Sequence, residues 1–198
     1  MTHGPILLAS RSPRRRELLD QIGVPHVTRP ADIDETERPG ESPEDYVMRL
    51  AQDKAARVYG LEPTAPAALA ADTTVALDGT IYGKPADRAD GARMLRALSG
   101  RTHRVLTAVA VAHPKGVDCA LSASEVTFAE LDEGLIGRYW ETGEPADKAG
   151  GYAVQGYAAV FIRAIRGSYS GIMGLPLFET AQLLDRAGIV HALRRVDR

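Results

Sequence analysis

Short apolar runs alternate with stretches of helical spacing along the chain. Residues 6–9, Ile-Leu-Leu-Ala, have the length and composition of a buried strand, which breaks at Ser10-Arg11-Ser12-Pro13. Ser12 is placed to cap a helix whose first residue, Pro13, has no N–H to leave unpaired. That helix runs to about Ile22, with Leu18, Leu19 and Ile22 on one face, and Gly23 ends it. Residues 28–40 are polar, carry Asp32, Asp34, Glu35 and Glu37, and read as a strand end and loop. Ser42-Pro43-Glu44-Asp45 repeats the cap-plus-proline signal, with acidic residues in the first turn. The helix it opens shows Val47, Leu50, Lys54 and Val58 at helical spacing, and residues 61–68 form a Pro- and Ala-rich connection.

Residues 70–77 read as a strand closed by the turn Asp78-Gly79. Asp87 caps a helix containing Met94, Leu95 and Leu98, stopped by Gly100. Residues 104–112 and 120–128 are expected to form an antiparallel hairpin about Pro114-Lys115-Gly116. Asp132 opens a helix through Tyr139 and Trp140 to Gly143. Residues 157–165 are expected as a further strand. Residues 175–187 are expected as a closing helix with Leu177, Ala181 and Leu184 on its face. Strands alternate with helices, so the class is α/β with a mixed sheet. No repeat or low-complexity tract divides the chain, and one domain over residues 1–198 is expected. The middle hairpin suggests a second lobe, with a cleft between the lobes.

Composition narrows the function classes. The chain has 198 residues, 44% hydrophobic and 25% charged, the balance of an ordinary globular domain rather than a disordered or fibrous one. The formal net charge of −2 gives no global basic field for a nucleic-acid backbone, so direct nucleic-acid binding is not expected. The single cysteine, Cys119, makes neither an internal disulfide nor a cysteine zinc cluster. No apolar run approaches the roughly 20 residues that span a bilayer. Residues 1–5 lead into a short apolar stretch that stops at Arg11, without the basic and hydrophobic regions of a secretion signal. A reducing, cytoplasmic setting is the expectation.

The densest chemistry lies at Ser10-Arg11-Ser12-Pro13-Arg14-Arg15-Arg16. A helix N-terminus offers unpaired N–H groups and a partial positive charge, so arginines there oppose the helix dipole unless an anion joins them. Arginine holds phosphate oxygens in a bidentate fork. The bland alternative is a solvated basic turn pairing with Glu17 and Asp20. The segment is not a Walker A loop, which needs GxxxxGK[ST].

Asp72 interrupts the apolar run Ala-Leu-Ala-Ala-Asp-Thr-Thr-Val-Ala-Leu, where a carboxylate is costly unless paired or metal-bound. It is a candidate metal ligand or general base, or else a strand-end residue capping a turn. Lys54 shares an apolar helical stripe and reads either as a snorkelling side chain or as a phosphate neutraliser. Lys84, in Gly83-Lys84-Pro85, has the same two readings. Gln155-Gly156 follows the paired glycines of Asp147-Lys148-Ala149-Gly150-Gly151-Tyr152. An amide that donates and accepts can read a base edge, although surface glutamine is the usual case. His103 reads as a satisfied structural histidine, and Tyr152, Tyr157 and Tyr169 as packing residues.

Taken together, these segments resemble one family. Ser10-Arg-Ser-Pro-Arg14-Arg15, Ala-Ala-Asp72-Thr73, Gly83-Lys84-Pro85, Ser99-Gly-Arg-Thr-His103, Asp147-Lys-Ala-Gly-Gly-Tyr-Ala-Val-Gln155-Gly156 and Gly167-Ser-Tyr169 with Gly174-Leu-Pro-Leu177 are similar in order and spacing to the Maf family of house-cleaning nucleoside triphosphate pyrophosphatases. The resemblance implies an α/β fold with a long mixed sheet and two lobes about a central cleft, related in architecture to inosine triphosphate pyrophosphatases. It implies hydrolysis of a nucleoside triphosphate to the monophosphate and pyrophosphate, with Mg²⁺ or Mn²⁺.

Carried across, Ser10, Ser12, Arg14 and Arg15 would meet phosphates, and Lys54 and Lys84 would neutralise them. Asp72 would be the catalytic carboxylate, with Glu35 beside it at the metal. Arg14, Thr73 and Gln155 would set specificity. Gln155 resembles the dTTP/UTP branch; the 7-methyl-GTP branch carries a glutamate there. Ser170-Gly171 departs from the asparagine many members carry after the tyrosine. A homodimer is the family-level expectation. The rival readings are a purine or 7-methyl-GTP pyrophosphatase and a non-catalytic cell-division regulator.

Overall fold

In the computed structural model, which describes residues 4–194, seven strands form one mixed sheet. They are β1 (Ile6–Leu8), β2 (His26–Thr28), β3 (Ala68–Leu77), β4 (Thr80–Tyr82), β5 (Thr102–His113), β6 (Gly116–Phe128) and β7 (Ile162–Arg166). The order is β2-β1-β3-β5-β6-β7, with β4 paired to β3. β1 runs parallel to β2 and β3, and the remaining pairs are antiparallel. The helices are α1 (Pro13–Gln21), α2 (Pro43–Leu61), α3 (Arg88–Leu98), α4 (Glu133–Glu141), α5 (Tyr169–Met173) and α6 (Leu177–Arg186). Residues 1–3, on which the expected absence of a secretion signal partly rested, and residues 195–198 lie outside the described part, so the 1–198 boundary is described only for 4–194.

Alternation on β3 and β5 divides the core. Ala68, Ala70 and Ala76 with Leu106, Ala108, Ala110 and Ala112 point to one face, where Val47, Ala51, Ala55 and Val58 of α2 cover them. Alanines on this face let the long helix lie close to the sheet. The opposite face carries two helix groups. Leu69, Ala71, Val109 and Val111 pack on Leu18 and Leu19 of α1 and Leu183 and Leu184 of α6. Val75, Leu77 and Val105 pack on Met94, Leu95 and Leu98 of α3 and Ile136 and Tyr139 of α4. Between the two groups the same face turns polar at Thr73, whose register partner on β5 is Thr107.

The sheet is interrupted at that level. β5 pairs with one edge of β3 from Ala68 to Ala76. On the other edge β1 reaches only Ala68 and Leu69, and β4 begins at Val75. Residues 70–74 of β3 therefore have no neighbouring strand on that edge. Side chains from both faces of the sheet meet in the gap, which brings Asp72 and Thr73 to one cleft although they point to opposite faces.

Several sequence expectations need correction. Asp72 is the fifth residue of a ten-residue strand, not a strand-end turn cap. Ser12 occupies the N-cap of α1, but its hydroxyl makes no capping bond. Ser42, Asp87 and Asp132 do cap, accepting from the N–H groups of Asp45, Asp90 and Leu135. Residues 157–165 are not one strand: Tyr157–Val160 is a 3-10 turn and β7 starts at Ile162. The closing helix forms as expected, as α6, and a short α5 that the pattern does not predict precedes it, ended by Gly174 at φ +118°. The β5–β6 hairpin is continuous with the sheet. It runs through the middle of the sheet, and β5 contributes to all three core clusters.

Candidate active site

A cleft of about 500 Å³ opens at the gap in the sheet, within the range of small-ligand sites. It is lined by Ser10, Ser12, Arg14, Arg15, Glu35, Lys54, Asp72, Thr73, Lys84 and Gln155, together with Arg11, Tyr46, Asp147, Lys148 and Tyr152. Every site residue expected from sequence thus reaches one cavity. Six lining cations face three lining carboxylates, an excess of three positive charges suited to a polyanion.

One corner is the start of α1. Ser10 Oγ accepts from the Ser12 N–H at 3.1 Å and from Arg15 Nη1 at 3.3 Å, so both lone pairs are used and its own proton stays free to donate. Arg15 also donates from Nε to the Gly174 carbonyl at 2.7 Å and from Nη2 to Thr73 Oγ1 at 3.3 Å. Desolvation lowers the pKa of Arg15, against which the negative charge of Asp72 acts. A guanidinium remains charged at neutral pH even so. Among the described residues no ion pair links the arginines of α1 to Glu17 or Asp20, so the bland reading of this turn is not what forms.

The opposite pole is ionic. Lys54, on α2, is 8% exposed and does not snorkel: its Nζ lies 2.7 Å from Asp72 Oδ1 and 2.8 Å from Glu35 Oε1. The Asp72 side chain is 12% exposed, so this pairing offsets a desolvation cost that would otherwise expel the carboxylate from the strand. Among the described residues Asp72 Oδ2 has no protein partner and is the oxygen left for a ligand.

Glu35 is brought in by a loop that α2 holds from behind. Tyr46 donates its hydroxyl to the Glu35 carbonyl at 3.0 Å. Arg49 binds Glu41 through Nε at 2.5 Å and Nη2 at 2.6 Å, and also donates to the Thr36 carbonyl at 3.1 Å. The Arg49 fork pulls the Glu41 pKa down to about 2. Burial and then the charges of Asp72 and Glu35 push Tyr46 up to about 12, so it stays a proton donor. Sequence reasoning missed Tyr46 and Arg49. Nothing in the pattern of α2 separates them from ordinary surface positions.

The far wall comes from the β4–α3 connection and the glycine-rich turn after α4. Lys84 is exposed and, among the described residues, unpaired. Lys148 pairs with the neighbouring Asp147. Desolvation works against the Asp147 carboxylate, yet the hydrogen bond from Lys148 and the charge of Arg14 hold its pKa below the ordinary value. Gly150 has φ +68°, and a Cβ there would lie 2.8 Å from Val75 Cγ2, so only glycine lets this turn press on the sheet. Gln155 is exposed at the cleft, with no protein partner among the described residues. His103 lies outside the cleft. It is 1% exposed, with Nε2 2.8 Å from the Tyr152 hydroxyl and Nδ1 unpartnered, and burial pulls it down to about 4. It is structural, as expected, but only half satisfied.

The profile of the family described as Maf-like protein matches residues 5–187. The chain belongs to this family. A Maf relative named dTTP/UTP pyrophosphatase from Aromatoleum aromaticum is 55% identical over 196 residues, covering 92% of this chain and 95% of the relative. Another of that name, from Alkalilimnicola ehrlichii, is 54% identical over 185 residues, with 91% of each chain covered. A crystal structure of a nucleoside-triphosphatase / dITP/XTP pyrophosphatase from Mycobacterium abscessus aligns with TM-score 0.43 and 23% identity, over 64% of this Maf chain and 75% of that one.

The acidic pole of this Maf protein brings two carboxylates together, Asp72 and Glu35. No group of three or more His, Cys, Asp or Glu side chains with metal-holding geometry occurs among the described residues, so there is no all-protein cage. Asp72 and Glu35 nevertheless converge on one point, the Lys54 ammonium. Mg²⁺ binds through one or two carboxylates and completes its shell with substrate phosphates and water, so these two residues fit it.

Proposed function

We propose that this Maf protein hydrolyses dTTP and UTP, and modified pyrimidine nucleotides of the same base edge, to the monophosphate and pyrophosphate. The observation that carries the reading is the division of one cleft into a carboxylate pole and a cationic corner. The N-terminus of α1, the free proton of Ser10, Ser12 and the forks of Arg14 and Arg15 would hold the phosphate tail. Lys84 would approach the same charge from the far wall. Asp72 Oδ2 would activate the attacking water, either by taking its proton directly or through the metal it helps to hold, while Lys54 holds Oδ1 and fixes the carboxylate plane. Asp72 and Glu35 would hold Mg²⁺ or Mn²⁺, which when bound neutralises phosphate charge and polarises the anhydride. Water adds to the α-phosphorus as the bond to the bridging oxygen breaks, and pyrophosphate leaves with the electron pair.

The base preference is assigned to Gln155, with Arg14 and Thr73. Uracil and thymine present an acceptor at O4 and a donor at N3, which one amide meets together. The relatives named dTTP/UTP pyrophosphatase support a preference for these two bases. No described helix is long and apolar enough to cross a membrane. We place the enzyme in the cytoplasm, acting on free nucleotides rather than nucleic acid, and as a homodimer. The test is pyrophosphate release from dTTP, UTP, CTP, GTP and 7-methyl-GTP at equal concentration. Release from dTTP and UTP with Mg²⁺, lost in EDTA, supports the reading; a purine preference or no release at all contradicts it.

A further inference from the structure

Thr107 is a polar side chain with no part in the chemistry above. It is 1% exposed, lies beneath the cleft floor rather than in it, and faces Thr73 across the β3–β5 ladder. Its Oγ1 lies 2.7 Å from the Gly171 carbonyl of α5 and 3.0 Å from Thr73 Oγ1. A threonine hydroxyl has one proton, and the carbonyl has none to give. Thr107 Oγ1 faces both acceptors as donor, so its one proton is shared between the Gly171 carbonyl, the shorter contact, and Thr73 Oγ1. Thr73 Oγ1 is thereby held from below by Thr107 while it accepts from Arg15 Nη2, the role a guanidinium requires of it.

Arg15 shows the consequence. A guanidinium has five N–H donors. Three are spent on protein oxygens: Nε on Gly174, one on Nη1 to Ser10, and one on Nη2 to Thr73. The remaining two sit on the two terminal nitrogens and form a fork of the kind that meets two phosphate oxygens. Thr107 supports two of the three anchors. It orients Thr73 directly, and its bond to Gly171 ties down the five-residue α5, which ends at the Gly174 carbonyl that Arg15 also uses.

We propose that Thr107 is a positioning residue for phosphate binding. By holding the Thr73 hydroxyl in place and tying down α5, it fixes the plane of the Arg15 fork. This deepens the pyrophosphatase reading and rests on it.

The test measures binding of inorganic pyrophosphate with Mg²⁺ by calorimetry, alongside KM and kcat for UTP. Thr107→Val keeps the volume and removes the hydroxyl. The expected result is pyrophosphate binding weaker by about five- to tenfold and KM raised to match, the size of one lost net hydrogen bond, with kcat nearly unchanged. Thr107→Ser should restore binding, and Thr73→Val should reproduce the loss. In an Arg15→Lys background, Thr107→Val should add little, because the fork it orients is gone. Unchanged binding in Thr107→Val overturns the proposal. So does an equal loss in the Arg15→Lys background, or a fall in kcat at constant KM. Thr107→Ala serves as the second removal should the valine variant not fold. If the wild type binds pyrophosphate but hydrolyses no nucleotide, the functional reading fails instead.

Discussion

Lys54 Nζ lies 2.7 Å from Asp72 Oδ1, joining the longest helix to the middle of an apolar strand through one buried ion pair. Removing one partner leaves the other charge stranded. Lys54→Met should therefore destabilise the fold by about 3–5 kcal/mol, and adding Asp72→Asn should recover much of that loss. Urea midpoints of the two single variants and the double variant check this. Additive losses would show that the pair is not coupled.

Asp72→Asn alone should leave a folded protein with turnover lowered by about 10²–10⁴-fold, since the amide accepts a proton poorly from water. Steady-state pyrophosphate release and a thermal melt are the paired measurements. Turnover near the wild-type rate would remove Asp72 from the chemistry.

Glu35 is held by its backbone, through Tyr46 and the Arg49–Glu41 bracket, rather than by rigid burial. Glu35→Gln should raise the Mg²⁺ concentration for half-maximal rate, and Tyr46→Phe should do so by a smaller factor of about five. Metal titrations at saturating UTP read both. Identical titration curves for all three proteins would separate Glu35 from the metal.

Stability should fall in two acid stages. An ordinary histidine takes its proton near 6.5, whereas folded His103 does so only near 4. The unfolded chain binds more protons between those values, so this group favours folding fully above 6.5 and loses its effect as pH drops toward 4. Glu41 runs the same way lower down: its contribution is complete above 4.5 and fades as pH approaches 2. Urea midpoints against pH should show the upper stage flattened in His103→Gln and the lower one in Glu41→Gln.

Much of this arrangement is legible in the sequence, for physical reasons particular to each element. Ser42, Asp87 and Asp132 announce their helices because a cap is a local interaction. Asp72 stands out because a carboxylate in an apolar strand demands a partner. Other features are set by contacts distant in sequence. The gap in the sheet arises because β1 pairs with only two residues of β3, which no periodicity reveals. Residues 157–165 have the apolar character of a strand, yet Tyr157–Val160 coils because Glu144, from the turn after α4, accepts from the N–H groups of Tyr157 and Ala158. Ser12 illustrates the converse: it occupies the cap position, and its hydroxyl is left facing the cleft.

Gln155→Glu should lower kcat/KM for UTP and dTTP selectively, by about tenfold or more, because the carboxylate cannot donate to O4 and repels it. Equal losses across pyrimidine and purine nucleotides would argue against a specificity role.

The most direct measurement follows the oxygen of the attacking water. Hydrolysis of dTTP in ¹⁸O-labelled water should place the label in dTMP and none in pyrophosphate, with Asp72→Asn slowing its appearance and leaving its position unchanged. Label in pyrophosphate or in inorganic phosphate would show that water attacks elsewhere on the chain of phosphates, and would contradict the assignment of this cleft.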